Sequence, residues 1–408
     1  MANAPTLSVE QWGGIKNRTD AQKVGLSGFT QADNVNIDGS GHVLFTRDGQ
    51  TSINATPYLG AYATFDKTRC YAMTAAGELE NWSGNAYTLQ AGFIGYPYWC
   101  QIADVVFVGN EHQTWRIGPD HTVSLNALVQ PAPPLLTAVV GGLPAGQYRF
   151  VQVGVVGGRE SAPSVESIIT VDGTQDIQVT GITGQRLYVA PADSRIFGWW
   201  TDTTATTLVY TQSAELLGEE LQTLNLRPMP LGKCLAVYQG RLHAAVYEAR
   251  TNQTALYRSL PQWWDLTTQG ERGLIDFTMI PGEIRAMAGH AHGLLIATDR
   301  QLFALADDVL VKLADYGVAP GQAIAIDQTG QLWIWTQRGL CTAFPFAEVT
   351  VDRHAPPTAD WVGSVVVRQD GDYRFVVTYA PLGDPDDENT EPATLIPAES
   401  IRVPREFP

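Results

Sequence analysis

Short apolar segments separated by polar turns recur along most of this 408-residue chain. They are rich in Val, Ile, Leu and aromatic side chains and are bounded by Gly, Asn or Asp, which is typical of β-strands joined by tight turns. Few stretches have the 3.6-residue period of a helix. The chain is therefore predicted to be all-β, and the clearest strand segments are DVVFV from Asp104, RLHAAV from Arg241, GLLIAT from Gly293 and QLWIWT from Gln331.

Several of these segments share a longer pattern of strand, polar turn and strand. A repeated antiparallel sheet with a period of roughly 40–50 residues is typical of a β-propeller. The spacing is irregular and no Trp-Asp signature recurs, so an ordinary large sandwich or barrel stays open as an alternative. The pattern is found in TRCYAMTAAGELENW from Thr68, IADVVFVGNEHQTWRI from Ile102, YQGRLHAAV from Tyr238, AHGLLIATDRQLFAL from Ala291 and TGQLWIWTQRGLCTAF from Thr329.

Residues 131–228 differ in pattern from the sequence on either side. Proline-rich joins bound them, and the strands between are short, with Gly-rich turns at a spacing of roughly 8–12 residues, as in a small β-sandwich. We therefore predict a β-propeller-like domain formed by residues 1–130 and 229–408. Residues 131–228 are predicted to be an inserted β-sandwich of the fibronectin type III kind.

Two segments depart from the strand pattern. Ala214–Leu226 has the composition of one short helix, although Gly218 weakens it. GDPDDENTE from Gly383 carries five carboxylates and no basic residue, which predicts a solvated acidic loop near the C-terminus.

The charge of the chain restricts its partners. There are 42 Asp and Glu against 26 Lys and Arg, a net charge of −16, and no basic run. Such a chain repels nucleic-acid phosphates, so no sequence-specific binding of DNA or RNA is expected. No apolar run approaches the roughly 18 residues of a membrane span, and the first residues lack the pattern of a signal peptide. We expect synthesis in a cytoplasm and no membrane partner.

The four cysteines lie far apart, without the paired spacing of metal or redox motifs. A disulfide framework is typical of small, Cys-rich chains, which this is not. Buried free thiols are predicted at Cys70, Cys100, Cys234 and Cys341.

The segment from Asn34 begins like a calcium-binding loop, with Asn34, Asn36 and Asp38 at alternate positions. An EF-hand loop needs a glutamate at its twelfth position, and here that position is Phe45. The preferred interpretation is a hairpin, in which VNI and HVLF are strands and the Asp and Gly residues between them form a tight turn.

Catalytic motifs are mostly absent: there is no Walker A pattern, no GxSxG, no HExxH and no GxGxxG. His290 and His292 have a spacing that a metal site can use, but a third ligand is not evident and a turn role is favoured. Propeller glycosidases use paired carboxylates, for which Asp104, Asp276, Asp299 and Asp315 are the candidates, with ordinary turn roles favoured over catalysis. We predict that the protein is not an enzyme, and we assign no catalytic, cofactor-binding or metal-binding residue and no cofactor.

Three tryptophan pairs allow two interpretations. They could form a sugar-stacking surface, or they could serve packing and subunit contacts, which we favour. In the tandem pairs one ring is expected to be buried and the other to lie at an interface. The pairs are Trp199 with Trp200, Trp263 with Trp264, and Trp333 with Trp335.

ADNVNIDGSGHVLFTRDGQT resembles the opening of a family of tailed-bacteriophage virion proteins. Further resemblance, in order, lies in AGQYRFVQVGVVGGRESAPS, LGKCLAVYQGRLHAAV, PQWWDLTTQGERGLIDF, GLLIATDRQLFAL and ADYGVAPGQAIAID, so it extends over about residues 10–380. The matching residues in the first segment are Ala32, Asn34, Val35, Asn36, Ile37, Asp38, Gly41, Arg47 and Gly49.

The resemblance implies a structural protein of the virion with a β-propeller, similar to tail hub or nozzle proteins. Such proteins form a homo-oligomeric ring below the portal, line or close the DNA exit channel, contact portal or adaptor proteins and anchor tail fibres. The expected location is the virion tail, assembled in the host cytoplasm. The alternatives are a tail-tip, capsid-attached or receptor-binding protein, and then a propeller glycosidase.

Overall fold

The structure is a computed structural model, and it describes residues 14–15, 28–29, 35–37, 44–46, 56, 58–84, 86–268, 277–327, 329–350, 359–369, 372–381 and 398–403. Regular structure in these residues is β-strand with a single 3₁₀ turn, so the predicted all-β class is confirmed. The acidic segment 383–391 and Asp276 lie outside the described residues.

The first strands are short. β1 (Gly14–Ile15) pairs in parallel with β2 (Gly28–Phe29), and β3 (Val35–Ile37) pairs antiparallel with β4 (Leu44–Thr46). Phe45 lies opposite Asn36 in this second pair, so the strands of the predicted hairpin are confirmed, while its turn lies outside the described residues.

Two four-stranded antiparallel sheets follow, each with its strands in sequence order. The strands are β5 (Tyr58–Ala63), β6 (Cys70–Thr74), β7 (Glu78–Asn81), β8 (Tyr87–Ala91), then β9 (Tyr98–Ile102), β10 (Val105–Gly109), β11 (Thr114–Ile117) and β12 (Val123–Leu125). The central strands β6, β10 and β11 are mostly buried, and β7 alternates between buried and half-buried residues, whereas β8 and β12 are largely exposed or half-buried.

The next segment forms two sheets that share one apolar core. Their strand orders are β13-β18-β21 and β17-β14-β19-β20, with a separate hairpin of β15 and β16. The shared core includes Phe150, Ile177, Leu187 and Tyr210. The strands are β13 (Leu135–Val140), β14 (Gly146–Val153), β15 (Val155–Val156), β16 (Arg159–Glu160), β17 (Ser167–Val171), β18 (Gln175–Thr180), β19 (Arg186–Ala190), β20 (Gly198–Asp202) and β21 (Thr207–Tyr210).

Three more four-stranded antiparallel sheets come after this segment, ordered β23-β24-β25-β27, β28-β29-β30-β31 and β33-β34-β35-β36. A strand pair, β22 with β26, and the short β32 lie between them. The strands are β22 (Leu226–Pro228), β23 (Cys234–Tyr238), β24 (Arg241–Glu248), β25 (Gln253–Arg258), β26 (Leu266–Thr268), β27 (Phe277–Pro281), β28 (Ile284–His290), β29 (Gly293–Thr298), β30 (Leu302–Ala306), β31 (Val309–Ala314), β32 (Gly321–Gln322), β33 (Ile324–Ile326), β34 (Leu332–Thr336), β35 (Gly339–Ala343) and β36 (Ala347–Glu348).

The described chain ends in a sheet ordered β32-β37-β38-β39, in which β32 runs parallel to β37 and the other pairs are antiparallel. Its long strands are β37 (Ala359–Gln369), β38 (Asp372–Pro381) and β39 (Ala398–Val403).

The repeating element is therefore a four-stranded up-and-down sheet, the blade unit of a propeller. In the described residues five such sheets begin at residues 58, 98, 234, 284 and 324, a spacing that agrees with the predicted period outside the insertion. The β-propeller-like fold class is confirmed. The domain boundaries at residues 131 and 228, and the fibronectin type III kind of the sandwich, stay predictions.

The chain divides into two compact units. The first contains residues 1–98, 247–254 and 280–408, and the second contains 99–246 and 255–279. In the first unit one core joins side chains of β28–β30, β33–β35 and β37–β38, with Trp333 and Trp335 at its centre. The second unit has separate cores in the sandwich and in the four-stranded sheets.

The helix predicted over Ala214–Leu226 is wrong beyond a 3₁₀ turn at Ala214–Leu216. The amide of Gly218 donates to the carbonyl of Trp199 at 2.8 Å, and Glu220 forms a β-bridge with Gly198. The segment therefore lies along the edge strand β20, where main-chain bonds to the sandwich replace those of a helix.

Candidate functional site

The predicted cysteine chemistry is largely confirmed. All four thiols are free; Cys100, Cys234 and Cys341 are buried, whereas Cys70 is only half-buried. Burial raises the pKa of Cys341 and of Cys70, so these thiols stay protonated at neutral pH and are poor nucleophiles.

Asp299 has a structural role in a turn. One carboxylate oxygen accepts the amide of Glu283 at 3.1 Å, and the other lies 3.2 Å from Nε of Arg300. Asp104 is exposed in the turn between β9 and β10. The Asp299 carboxylate is thus occupied by local turn contacts, and Asp104 lies on the surface and not in a water-excluding site.

Asp315 is exposed and pairs with Lys312, whose Nζ lies 2.7 Å from Oδ1. The hydrogen bond and the positive charge of Lys312 lower the pKa of this carboxyl. A glycosidase acid needs a raised pKa, so Asp315 is unsuited to that role.

The structure brings His290 and His292 together at the β28–β29 hairpin, with ring centroids 5.2 Å apart. The amide of His292 donates to Nδ1 of His290 at 3.3 Å, and the His290 ring stacks on Phe344 with centroids 5.1 Å apart. Burial and the neighbouring His292 lower the pKa of His290. In the described residues no group of three or more His, Cys, Asp or Glu side chains is arranged to hold a metal ion.

Most tryptophans of the three pairs pack against other side chains, and they do not form one common surface. Trp333 and Trp335 are both buried in the core of the first unit, and Trp200 packs in the sandwich core, 5.2 Å from Tyr210. Trp199 is 39% exposed on the outer side of its strand. Trp199 and Trp200 face opposite sides of the strand, but Trp200 is only half-buried, so the expected division into a buried and an exposed ring is met in part. An interface at Trp199 stays a prediction.

Trp263 and Trp264 do not divide in this way, because both are half-buried. Trp263 packs against the cluster of Leu226 and Leu266, whereas Trp264 contacts Phe107 edge to face at 5.8 Å. They therefore join two separate clusters of the second unit.

The most elaborate polar arrangement in the described residues centres on the adjacent pair Arg159 and Glu160 in β16. Arg159 donates from Nη1 to the carbonyl of Asn126 at 3.0 Å and lies 3.3 Å from the carboxylate of Asp265. Because neighbouring strand residues face opposite sides, Glu160 turns the other way and pairs with Arg186 at 2.7 Å. The two residues therefore link the sandwich to the chain that follows β12 and to the segment before β26.

Asp265 is buried at this joint. Burial raises the pKa of its carboxyl, and the positive charges of Arg159 and Arg116 oppose that shift. Arg116 also lies over the Trp264 ring, with its guanidinium carbon 5.3 Å from the centroid. The amide of Met229 donates to the Asp265 carbonyl at 2.8 Å, so the chain leaving the sandwich is held at the same point.

The chain leading into the sandwich is held by Gln152, which is fully buried in β14. Its Nε2 donates to the carbonyls of Ala132 at 2.5 Å and Gly181 at 3.3 Å. Its Oε1 accepts the amides of Thr183 at 2.9 Å and Gly184 at 2.8 Å. All the hydrogen-bonding capacity of this amide is used, which fixes the proline-rich join at Ala132 against the sandwich.

Two further side chains hold the same join. Nε2 of Gln130 donates to the carbonyl of Pro163 at 2.5 Å, and the hydroxyl of Ser167 donates to the carbonyl of Pro134. The proline-rich join is thus an ordered connection, tied along its length to the sandwich.

In the first unit a second polar contact fixes the chain before β32. The Tyr316 hydroxyl donates to Oε1 of Glu348 at 2.5 Å and lies 3.5 Å from Sγ of Cys341. Burial and the bond to Glu348 raise the pKa of Tyr316, and Arg338 covers the ring at 5.2 Å. Tyr316 therefore acts as a neutral hydrogen-bond donor that positions the backbone.

These arrangements can orient and fix chain segments, and their polar groups are occupied by one another. Sequence reasoning did not single out Arg159, Asp265 or Gln152. The available signal was indirect: Arg159 and Asp265 lie in two of the segments that carry the resemblance, GGRESAPS and PQWWDL.

In the described residues no helix is long and apolar enough to cross a membrane.

No family model matches the chain, and no curated protein matches it. Among solved structures it is similar to Hsv2 of Kluyveromyces lactis, at 9% identity over 79% of this chain and 90% of that one, with a TM-score of 0.31. The Dos1 propeller is 8% identical over 87% of this chain and 81% of that one, with a TM-score of 0.34. The RRP9 WD40 repeats are 11% identical over 69% and 88%, with a TM-score of 0.26. At such TM-scores these likenesses carry no argument about this chain, whose propeller-like character rests on its own sheets.

Proposed function

We propose that this chain is a structural protein of a tailed-bacteriophage virion, a ring-forming component of the tail hub or nozzle below the portal. It lines or closes the DNA exit channel and anchors fibres. The observation that carries the proposal is the joint of Arg159 and Asp265. Two segments that resemble the phage family, more than 100 residues apart in sequence, meet there through an ion pair of 3.3 Å.

The form of this joint supports a structural role. The residues of the resembling segments are used to hold the sandwich in a fixed orientation, rather than to build a reactive cluster. A subunit that has to present one surface to a neighbour and another to a fibre benefits from such rigidity, because preorganised surfaces lose less entropy on binding.

The charge supports a place beside DNA. With a net charge of −16, a ring of copies repels the phosphate backbone, so that DNA passes without sequence-specific binding. The proposed partners are other copies of the chain, portal or adaptor proteins and tail fibres, with assembly in the host cytoplasm and no membrane step. The proposed role is not enzymatic.

A second candidate is a tail-tip, capsid-attached or receptor-binding protein. The exposed ring of Trp199 favours it, because fixed aromatic side chains on a surface are typical of binding sites. The propeller glycosidase has weaker support, since Asp299 and Asp315 are engaged in local turn contacts.

The proposal is tested by mixing the purified chain with purified portal–tail complexes and locating a label by electron microscopy. A ring-shaped label around the channel is expected, and a peripheral label supports the second candidate. A chain that stays monomeric in light scattering and joins neither portals nor tails overturns the hub or nozzle proposal and the tail-tip alternative.

The same assay includes Arg159→Met, which loosens the joint, and Arg250→Met as its control, because Arg250 has a side chain 90% exposed. Arg159→Met is expected to reduce incorporation severalfold, and Arg250→Met to leave it unchanged.

A further inference from the structure

We infer that the face of the sandwich around Trp199 binds a basic segment, rich in Arg or Lys, of another protein. The choice of a protein as partner rests on the proposed function; the site and its charge are read from the sandwich itself.

Trp199 is exposed and yet fixed. Its Nε1 donates to Oδ1 of Asp202 at 3.0 Å, and its backbone bonds to Gly218 and Glu219 on the adjoining segment at 2.8 Å each. Gly218 lies directly under the ring, since a Cβ there would come within 2.5 Å of Cε3 of Trp199. The indole therefore has one supported face and little freedom to lose on binding.

The groups around this ring are mainly acidic. Glu215, Glu219 and Glu220 are exposed on the segment that lines β20, and none has an ion-pair partner in the described part of the chain. The loop before β20 adds one negatively charged side chain, Asp193, and one positively charged side chain, Arg195.

The strand itself contributes a closed ion-pair network. Arg186 contacts both oxygens of Asp202, at 2.6 and 2.9 Å, and Glu160 at 2.7 Å. This network is satisfied internally, so it holds Asp202 and the indole in place. The exposed charges left outside it are the three glutamates, Asp193 and Arg195, so carboxylates are in excess.

An aromatic face with a rim of carboxylates is complementary to a guanidinium or ammonium group. One Arg or Lys of the partner segment stacks on the indole of Trp199. Neighbouring basic residues of the partner segment pair with the three glutamates. Nucleic acid is a poor occupant, because its phosphates are repelled by a chain with a net charge of −16.

The test uses the full-length chain labelled with 5-fluorotryptophan, which gives one ¹⁹F resonance for each of the eleven tryptophans. The resonance missing from Trp199→Phe identifies Trp199. Hepta-arginine amide is titrated at low ionic strength, with hepta-glutamate and a chitin oligosaccharide as comparison probes. The Trp199 resonance is expected to shift saturably with hepta-arginine alone.

Glu219→Gln/Glu220→Gln is expected to weaken this binding about three- to tenfold, as rim charges do. The matched control, Asp104→Asn/Glu111→Gln, removes two exposed charges from the β9–β12 sheet and is expected to leave it unchanged.

Three outcomes overturn the inference: no shift of the Trp199 resonance, a shift with the oligosaccharide but not the peptide, or equal weakening by both double variants. The measurement needs no virion. A chain that never joins a phage tail can still bind the basic peptide at Trp199, and a protein that does join the tail can fail to bind it. Failure of this inference and failure of the proposed function are therefore distinguishable.

Discussion

The repeated sheets and the inserted sandwich are held in place by different kinds of interaction. In the first unit, side chains of three neighbouring sheets meet in one apolar core around Trp333 and Trp335. The attachment of the sandwich in the second unit instead uses Gln152, the Arg159–Asp265 pair and main-chain bonds. The core of the repeated sheets is apolar, whereas the attachment of the sandwich adds directional bonds to a small apolar cluster of Ala162, Leu226 and Leu266.

The difference has a physical reason. Sheets of the same kind present similar apolar faces, and burial of those faces is non-directional, so shape alone positions them. A sandwich inserted into such a series has no repeated neighbour to match. Hydrogen bonds and ion pairs depend on angle as well as distance, and they fix an orientation that burial leaves open.

The largest effect is expected in the apolar core. Trp333 is 1% exposed, and Trp333→Ala should lower the free energy of unfolding by about 3–5 kcal/mol through lost burial and a residual cavity. Urea denaturation measures this. Val309→Ala, at an exposed position of β31, should change stability by less than about 0.5 kcal/mol. If both substitutions lowered the free energy of unfolding equally, burial in the apolar core would not be what stabilises the repeated sheets.

The next effect is expected at the ion pair. Arg159→Met keeps most of the side-chain stem but leaves Asp265 buried without its partner, which should cost about 2–4 kcal/mol. Arg250→Met should be near neutral, because its contact to Glu248 at 3.9 Å is exposed. The prediction fails if both variants unfold at the same urea concentration.

Gln152→Leu should cost about 1–3 kcal/mol, because the amide of Gly184 stays buried without a partner and the amide of Thr183 and the carbonyl of Ala132 lose theirs. Limited proteolysis should also show faster cleavage near residue 132. Gln147→Leu, at the half-exposed start of the same strand, serves as control. Unchanged protection of the join in Gln152→Leu would show that the hydrogen bonds of Gln152 are not needed to hold it.

His243 tests a buried ionisable group within a repeated sheet. Burial lowers its pKa to about 4, so the unfolded chain takes up a proton first as the pH falls. Stability is therefore full above pH ~6.5 and decreases towards pH ~4. Between about pH 7 and 5 the wild type should lose about 1–2 kcal/mol relative to His243→Gln. If the stabilities of the wild type and of His243→Gln changed in parallel with pH, protonation of His243 would not be what destabilises the wild type.

Asp265 should change the pH dependence of stability by less than His243 and in the opposite direction. Its pKa is raised by burial, so the folded chain binds the proton more tightly than the unfolded chain. Relative to Asp265→Asn, the wild type should gain stability as the pH falls from that raised pKa towards the ordinary 3.8, and level off below it. Urea denaturation at a series of pH values measures the difference, and a loss in that range would contradict the raised pKa.

Sequence patterns located the central strands of the repeated sheets and missed most of the outer ones. GLLIAT and QLWIWT became β29 and β34, which are buried on both faces and therefore apolar throughout. An outer strand such as β8 is largely exposed, so its composition differs little from that of a loop, whereas β31 was missed although its sequence is apolar. The repeat of the sheets was recognisable where both central strands are apolar, as in β29–β30 and β34–β35, and less so in β6–β7, because β7 carries two glutamates and an asparagine.

The joint could not be predicted, because its members are remote in sequence and individually ordinary. Arg159 and Asp265 are separated by 106 residues, and a single Arg or Asp in a turn-rich chain carries no sign of its partner. The failed helix at Ala214–Leu226 has a similar cause. Its residues favour a helix locally, but the edge of β20 offers main-chain bonds that only the folded sandwich supplies.

The opposite orientation of Arg159 and Glu160 makes the sandwich sensitive to the length of its chain. A deletion of Arg159 would move Glu160 into its position and Ser161 into that of Glu160. A carboxylate would then face Asp265, and Arg186 would lose one of its two acidic partners and keep Asp202. One contact would turn repulsive and another would be lost at once, so this short hairpin accepts changes of side chain more readily than a change in the number of residues.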